Sequence, residues 1–271
     1  QILKGQDIHI PYITTLHGTD ITLVGKEPEF EPTISFAINQ SDIVTSVSES
    51  LKKDTYKHFN VSKDIKVVPN FVCVSKFQKD KENCKRDLFA PNGEKILMHI
   101  SNFRKVKRIQ DVIKIHSIVS KLNPTRLILI GDGPERSSME RLAREQGVEK
   151  STYFLGKIKE TEKALCLADV YLMTSEKESF GVSALEAMAA GVPVISSNTG
   201  GIPEVNTHNK TGFLSNVGDV EDMAKNLNNL LVDSELYNRL SLNAFERAKE
   251  FNISNVLPIY ESLYNELLPK L

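Results

Sequence analysis

Ser175-Glu-Lys-Glu-Ser-Phe-Gly-Val-Ser-Ala-Leu-Glu-Ala-Met-Ala-Ala-Gly-Val-Pro-Val-Ile195 follows a β-branched run, Val170 to Thr174, and decides the fold. The pattern predicts a helix from about Gly181 to Ala190: small Ala184, Ala187, Ala189 and Ala190 permit close packing on a sheet, and Gly191 and Pro193 stop it. Strand, glycine-bearing turn and helix in that order put the helix amides at the carboxyl end of a parallel sheet. Open α/β folds bind ligands there, and the amides suit a diphosphate. Glu178 and Glu186 flank Phe180-Gly181. A buried helix with two solvated glutamates is the plain alternative, but a carboxylate on each side of a helix start favours a site.

Outward from this stretch, short β-branched runs alternate with amphipathic segments. Candidate strands are Tyr12 to Leu16, Ile43 to Ser46, Lys66 to Val68, Lys95 to Ile100, Arg126 to Ile130, Thr152 to Leu155, Val170 to Thr174 and Pro193 to Ser196. Such alternation implies parallel sheets covered by helices, the α/β class. Phe71 to Gly93 is polar and charge-dense, ends in Pro91-Asn92-Gly93, and reads as the connection between two domains with a boundary near Val74. Too few strands precede that boundary for a doubly wound sheet of ordinary size, so the beginning of the first domain is expected to be absent.

The 271 residues suffice for two domains. With 34 basic and 35 acidic side chains the net charge is -1, which excludes a global pull toward nucleic acid or anionic membrane. Cys73, Cys84 and Cys166 are widely spaced and form no C-x-x-C pair, which disfavours a disulfide framework and a zinc site and points to a reducing cytoplasm. No apolar run is long enough to span a bilayer, and Gln1 to Asp7 has no signal-peptide core. No His/Asp/Glu cluster has metal-ligand spacing, so metal-independent chemistry without a cofactor is expected. A homo-oligomer is compatible with the sequence.

Ile100-Ser-Asn-Phe-Arg-Lys-Val-Lys-Arg-Ile109 passes from a strand into a helix and gathers Arg104, Lys105, Lys107 and Arg108, a cluster suited to a leaving diphosphate or to an ordinary solvated basic face. Leu127-Ile-Leu-Ile-Gly-Asp-Gly-Pro-Glu135 reads by itself as a structural turn into a helix. Thr14-Thr-Leu-His-Gly-Thr-Asp-Ile-Thr22 places His17 and Gly18 at a strand's carboxyl end. His9, His58, His99, His116 and His208 have no partner pattern and take no role.

Together these segments resemble glycosyltransferase family 4, the retaining enzymes of the GT-B fold, with two Rossmann-like domains facing a cleft. Glu178 and Glu186 match its E-x7-E signature. The resemblance implies that Glu178 contacts the donor sugar, that Glu186 holds the ribose hydroxyls, and that Phe180, Gly181 and Val182 line the sugar and diphosphate site. Ser101, Arg104 and Lys107 fall in the loop with the family's paired basic residues, although most members have Arg directly after Gly where this chain has Asn102 after Ser101. Gly131 falls in the run that approaches the nucleotide, Leu155 in the strand end that reads the base, and Gly200-Gly-Ile-Pro-Glu204 in the glycine turn facing the donor. His17 is implied to stand in the cleft near the reaction centre. The implied division is 1–74 for part of the acceptor domain, 75–252 for the donor domain and 253–271 for a helix crossing back to the first domain. For that helix, Val256, Ile259, Leu263 and Leu267 give one apolar face.

A narrower resemblance, carried by His17 to Thr22 with Ser101 to Arg108, is to the branch of the family in bacillithiol biosynthesis. It implies transfer of N-acetylglucosamine from UDP-N-acetylglucosamine to a small acidic acceptor, L-malate, with Thr15 and Asn70 as acceptor or cleft residues. It also implies that an N-terminal part with a glycine-rich acceptor loop precedes Gln1. The alternatives are a family 4 enzyme acting on a cell-wall, capsule or lipid-linked acceptor, a UDP-sugar epimerase, and a nucleotide-binding regulatory domain. An oxidoreductase is disfavoured because Gly131-Asp-Gly133 lacks the third glycine of the dinucleotide fingerprint.

Overall fold

Two parallel sheets organise the chain in a computed structural model that describes residues 10–22, 29–77 and 84–268. The first sheet has the order β1 (Ile13–Leu16), β2 (Ile43–Ser46), β3 (Ile65–Val67). The second contains β4 (Lys95–Ile100), β5 (Thr125–Ile130), β6 (Thr152–Gly156), β7 (Val170–Met173), β8 (Val194–Ser197) and β9 (Gly212–Ser215), in the order β6-β5-β4-β7-β8-β9. The α/β class expected from the alternation is borne out. Residues 1–9, 23–28, 78–83 and 269–271 lie outside the described residues, and with them Gln1 to Asp7, His9 and the middle of the polar connection.

The described residues of Val72–Asn252 form one unit, and those of Gln1–Phe71 with Ile253–Leu271 form the other. In the larger unit, strands buried on both faces read as nearly continuous apolar runs; Ile96, Leu97 and Met98 are all fully buried. Leu97, Leu127, Leu129, Val170, Leu172 and Ile195 share one core with the helices Ile109–Val119 and Val220–Val232. The alanine-rich helix Val182–Ala189 buries Ala184, Leu185, Ala187 and Met188 completely and packs against the helix Ser234–Glu250. In the smaller unit, Val68, Val256 and Leu263 pack with Ile13, Ile43 and Tyr260, so the helix Ile253–Leu267 lies on this sheet. Ile259 is 42% exposed, and Tyr260, one residue further, takes the place on the apolar face that the sequence pattern gave to Ile259.

Three features differ from the sequence reading. Gly212–Ser215 adds a strand, too short and too interrupted by polar residues to show as a β-branched run. The polar connection holds two short 3-10 helices, Val74–Phe77 and Arg86–Leu88. Cys84 and Cys166 form a disulfide across a sequence separation of 82, leaving Cys73 free. The physical reason is the crossover: Cys84 leads toward β4 and Cys166 toward β7, and these strands are neighbours, so both cysteines arrive at the amino ends of adjacent strands. The compartment inference from unpaired cysteines therefore lapses. Among the described residues no helix is long and apolar enough to cross a membrane.

His116 is buried between Ser151 (Nε2 to Oγ 2.9 Å) and Thr125 (Nδ1 to Oγ1 3.3 Å). Burial, with help from the Arg126 charge, holds its pKa down at about 4 against 6.5. The unfolded chain takes up this proton near pH 6.5 and the folded chain only near pH 4, so the stabilisation is present above 6.5 and is lost as pH falls between those values. The difference corresponds to roughly 3 kcal/mol for this one group. Urea unfolding at neutral pH and near pH 4 should show His116→Gln losing less stability on acidification than the wild-type chain, by an amount of that order.

Candidate active site

The site is built where β4 and β7 part. On one side of this pair the order continues through β5 to β6, on the other through β8 to β9, so the connections diverge and leave a crevice at the carboxyl ends. β4 pairs with β5 along six residues but with β7 only at Leu97↔Val170 and Met98↔Tyr171. The loops leaving β4 and β7 meet above the gap. The Glu176 N–H donates to Val106 O at 2.8 Å, and the Thr174 hydroxyl reaches Lys107 O at 3.0 Å and Arg108 O at 2.9 Å. These bonds dock the 3-10 turn Lys105–Lys107 on the loop that carries Glu178.

Lys107 Nζ then lies 2.6 Å from Glu178 Oε2, with the side chains 21% and 15% exposed. The basic cluster is thereby resolved residue by residue. Arg108 bonds Asp111 at 2.6 Å as the chain enters the helix Ile109–Val119, whereas Arg104 and Lys105 are exposed. The structure brings Lys107 and Glu178 together, while Arg104 meets Lys107 through the backbone, its carbonyl accepting the Lys107 N–H at 2.9 Å.

Glu178 is fixed from the other side by Gly200 and Gly201. The Gly201 N–H donates to Glu178 O at 2.9 Å, a Cβ on Gly200 would stand 1.9 Å from that oxygen, and one on Gly201 would stand 2.2 Å from Ser179 O. Only glycine allows this approach. The same holds for Gly131, where a Cβ would lie 1.8 Å from Ser101 O. Gly131 and Ser101 are thus neighbours at the ends of β5 and β4, and the Gly131 N–H donates to Gly156 O beside Leu155 on the edge strand β6. Gly181 caps the helix Val182–Ala189. Phe180 is buried edge-on to Phe251, so its ring is committed to packing, while Val182 is 42% exposed. Glu186 is half-buried, and that burial, with the Glu162 charge, pushes its carboxyl pKa up.

Thr15, His17 and Asn70 lie in the smaller unit. Thr15 accepts from the Thr45 hydroxyl at 2.9 Å, His17 follows β1 and is exposed, and Asn70 follows β3 and is half-buried. Thr174, which docks the Lys107 turn, was not singled out by the sequence. It reads there as the β-branched end of a strand, and only the neighbouring loop gives its hydroxyl a task. Among the described residues no group of three or more His, Cys, Asp or Glu side chains is arranged to hold a metal.

Residues 80–247 match the family described as Glycosyl transferases group 1, and residues 2–76 match Glycosyltransferase Family 4. This chain belongs to the group 1 glycosyl transferases. The family membership makes it a glycosyltransferase and bears out the resemblance read from its motifs. It is 42% identical over 261 residues to the N-acetyl-alpha-D-glucosaminyl L-malate synthase of Bacillus anthracis, covering 96% of this chain and 68% of that protein. At 30% identity it also matches an uncharacterized glycosyltransferase of Methanocaldococcus jannaschii, over 75% of this chain and 56% of that one. The structure resembles Anabaena HepE in complex with UDP-glucose, with a TM-score of 0.85, 20% identity, and coverage of 94% of this chain and 72% of the other. That likeness establishes the GT-B fold of the transferase.

A Lys107 ammonium that contributes one charge-assisted contact to the transition state is worth roughly 3 kcal/mol, so on that expectation Lys107→Ala should lower kcat for UDP release by about a hundredfold. Exposed Lys105 is the control. Initial rates of the two alanine variants at saturating donor check this, and equal small effects would reduce the cluster to a solvated basic face.

Proposed function

We propose that this chain carries the donor-binding and catalytic groups of a retaining transferase that moves N-acetylglucosamine from UDP-N-acetylglucosamine to the hydroxyl of L-malate, the first step of bacillithiol biosynthesis. The observation that carries this reading is the 42% identity to the Bacillus anthracis synthase over 96% of the chain. The site geometry agrees with it. Breaking the anomeric bond leaves positive charge on the sugar ring and added negative charge on the β-phosphate. Lys107 is held beside Glu178, and a bound donor would move its ammonium from the carboxylate to the diphosphate, freeing Glu178 for the sugar. The helix start at Gly181 adds amides to the same anion.

In this reading Glu186 takes the ribose hydroxyls, and Gly131 and Leu155 border the nucleotide. Ser101, Phe180 and Val182 border the sugar and diphosphate, Phe180 through its backbone, and Arg104 supports the diphosphate. His17 acts at the reaction centre, with Thr15 and Asn70 toward the acceptor. Same-face attack, with the departing phosphate helping to take the malate hydroxyl proton, accounts for retention without a protein nucleophile. Much of the rate then comes from holding donor and acceptor together.

The test is UDP release from UDP-N-acetylglucosamine in the presence of L-malate, of sugar acceptors, or of no acceptor. Release that depends on L-malate is expected. Release with sugars alone would assign the chain to another acceptor class of the same family, and release without any acceptor would point to hydrolysis.

A further inference from the structure

β4 reads Lys95-Ile-Leu-Met-His-Ile100, and a histidine in a strand buried on both faces must be satisfied by its surroundings. The parting of β4 and β7 sets those surroundings. Beyond Met98↔Tyr171 the backbone pairing stops, and side chains take over the groups left open. His99 Nδ1 lies 2.8 Å from Leu172 O. The Tyr171 hydroxyl accepts from the Ile100 N–H at 3.1 Å and donates to Ile100 O at 3.0 Å. The two rings stack at 6.4 Å with 18° between their planes, so the imidazole has a fixed plane as well as a fixed partner. Its other nitrogen, Nε2, is 2.8 Å from Ser101 Oγ.

Protons can be assigned along this chain of contacts. A carbonyl oxygen only accepts, so the Nδ1 facing Leu172 carries a proton. Burial keeps the ring neutral, outweighing the Leu172 bond and aided by the Lys107 charge, with a pKa down at about 4. Nε2 is then a bare lone pair, and the Ser101 hydroxyl donates to it. Ser101 has one proton, and with that proton committed its oxygen meets any further partner as an acceptor.

We propose that His99 is the positioning residue that fixes Ser101 as a hydrogen-bond acceptor in the donor site, so that the ligand atom it meets is a hydroxyl or amide N–H of the donor sugar and not a phosphate oxygen. This rests on the donor-site reading above. Phosphate oxygens of a nucleoside diphosphate are acceptors at neutral pH, and two acceptors face to face repel. Ser101 opens the loop from β4 that carries Lys107 to Glu178, the carboxylate that the donor-site reading assigns to the sugar. His99 touches no ligand in this scheme and acts through Ser101.

The tautomer is read first on the unaltered chain, by nitrogen-15 NMR of its histidines at neutral pH. His99 should be neutral with its proton on Nδ1; a proton on Nε2 would overturn the proposal without any variant having to fold. Calorimetry with UDP and with UDP-N-acetylglucosamine follows, on wild type, Ser101→Ala, His99→Asn and the double variant. His99→Asn keeps a donor for Leu172 and removes the acceptor for Ser101. Either single variant should weaken UDP-N-acetylglucosamine about tenfold and leave UDP within about twofold, as expected for one hydrogen bond to the sugar. The double variant should be no worse than either, because both break one linkage. In turnover, KM for the donor should rise more than kcat falls. Equal losses on UDP and on UDP-sugar, or additive losses in the double variant, would overturn the proposal while leaving the donor site in place. A wild-type chain that binds neither nucleotide would sink the donor-site reading, and this inference with it.

Discussion

Everything at the site depends on β4 and β7 being joined at their amino ends and parted at their carboxyl ends. At the amino edge Arg86 bonds Asp169 at 2.6 Å, the Asp169 carboxylate accepts the Ile96 N–H at 2.7 Å, and Cys84 is bonded to Cys166. Two residue pairs later the strands separate, because the chain continues in opposite directions across the sheet on either side of them. Separation opens backbone groups inside a dry core, where an unpaired group costs on the order of 1–3 kcal/mol. His99 and Tyr171 meet that cost with side chains, so the crevice can exist without unpaired strand ends beneath it.

A second constraint follows from how closely the loops pack above the gap. Glu178 is held by the backbone of Gly201, and the Lys107 turn by Thr174 at Lys107 O and by Glu176 at Val106 O. Half-buried opposite charges at 2.6 Å are costly to desolvate and contribute little net stability by themselves. What the pair fixes is position: the ammonium and the carboxylate are held side by side at the carboxyl ends of β4 and β7. The glycine pairs serve the same end, since any Cβ at Gly200 or Gly131 would drive the neighbouring loop away.

Much was legible in the sequence. The parallel α/β class followed from β-branched runs at regular intervals, and most strands fell within a residue or two of their observed bounds, because burial on both faces leaves an unbroken apolar signature. The helix Val182–Ala189 could be read from its alanines and its terminating glycine. Lys107 and Glu178 were legible as residues of the right chemistry at loop positions, although the basic segment by itself did not separate Lys107 from Arg104 or Lys105.

Sequence by itself therefore determined which elements form and which loops carry charge, since those depend on local periodicity and on residue type. Tertiary structure decided the partners. The Cys84–Cys166 bond, the short strand Gly212–Ser215 and the pairing of Lys107 with Glu178 all rest on residues brought together by crossovers. His99 shows the difference most plainly. In the sequence it is one of six histidines with no pattern around it. In the fold its place beside Leu172, Tyr171 and Ser101 gives each ring nitrogen a defined role. A hydrogen bond's direction depends on which atom stands opposite, and the parting of two strands sets that here.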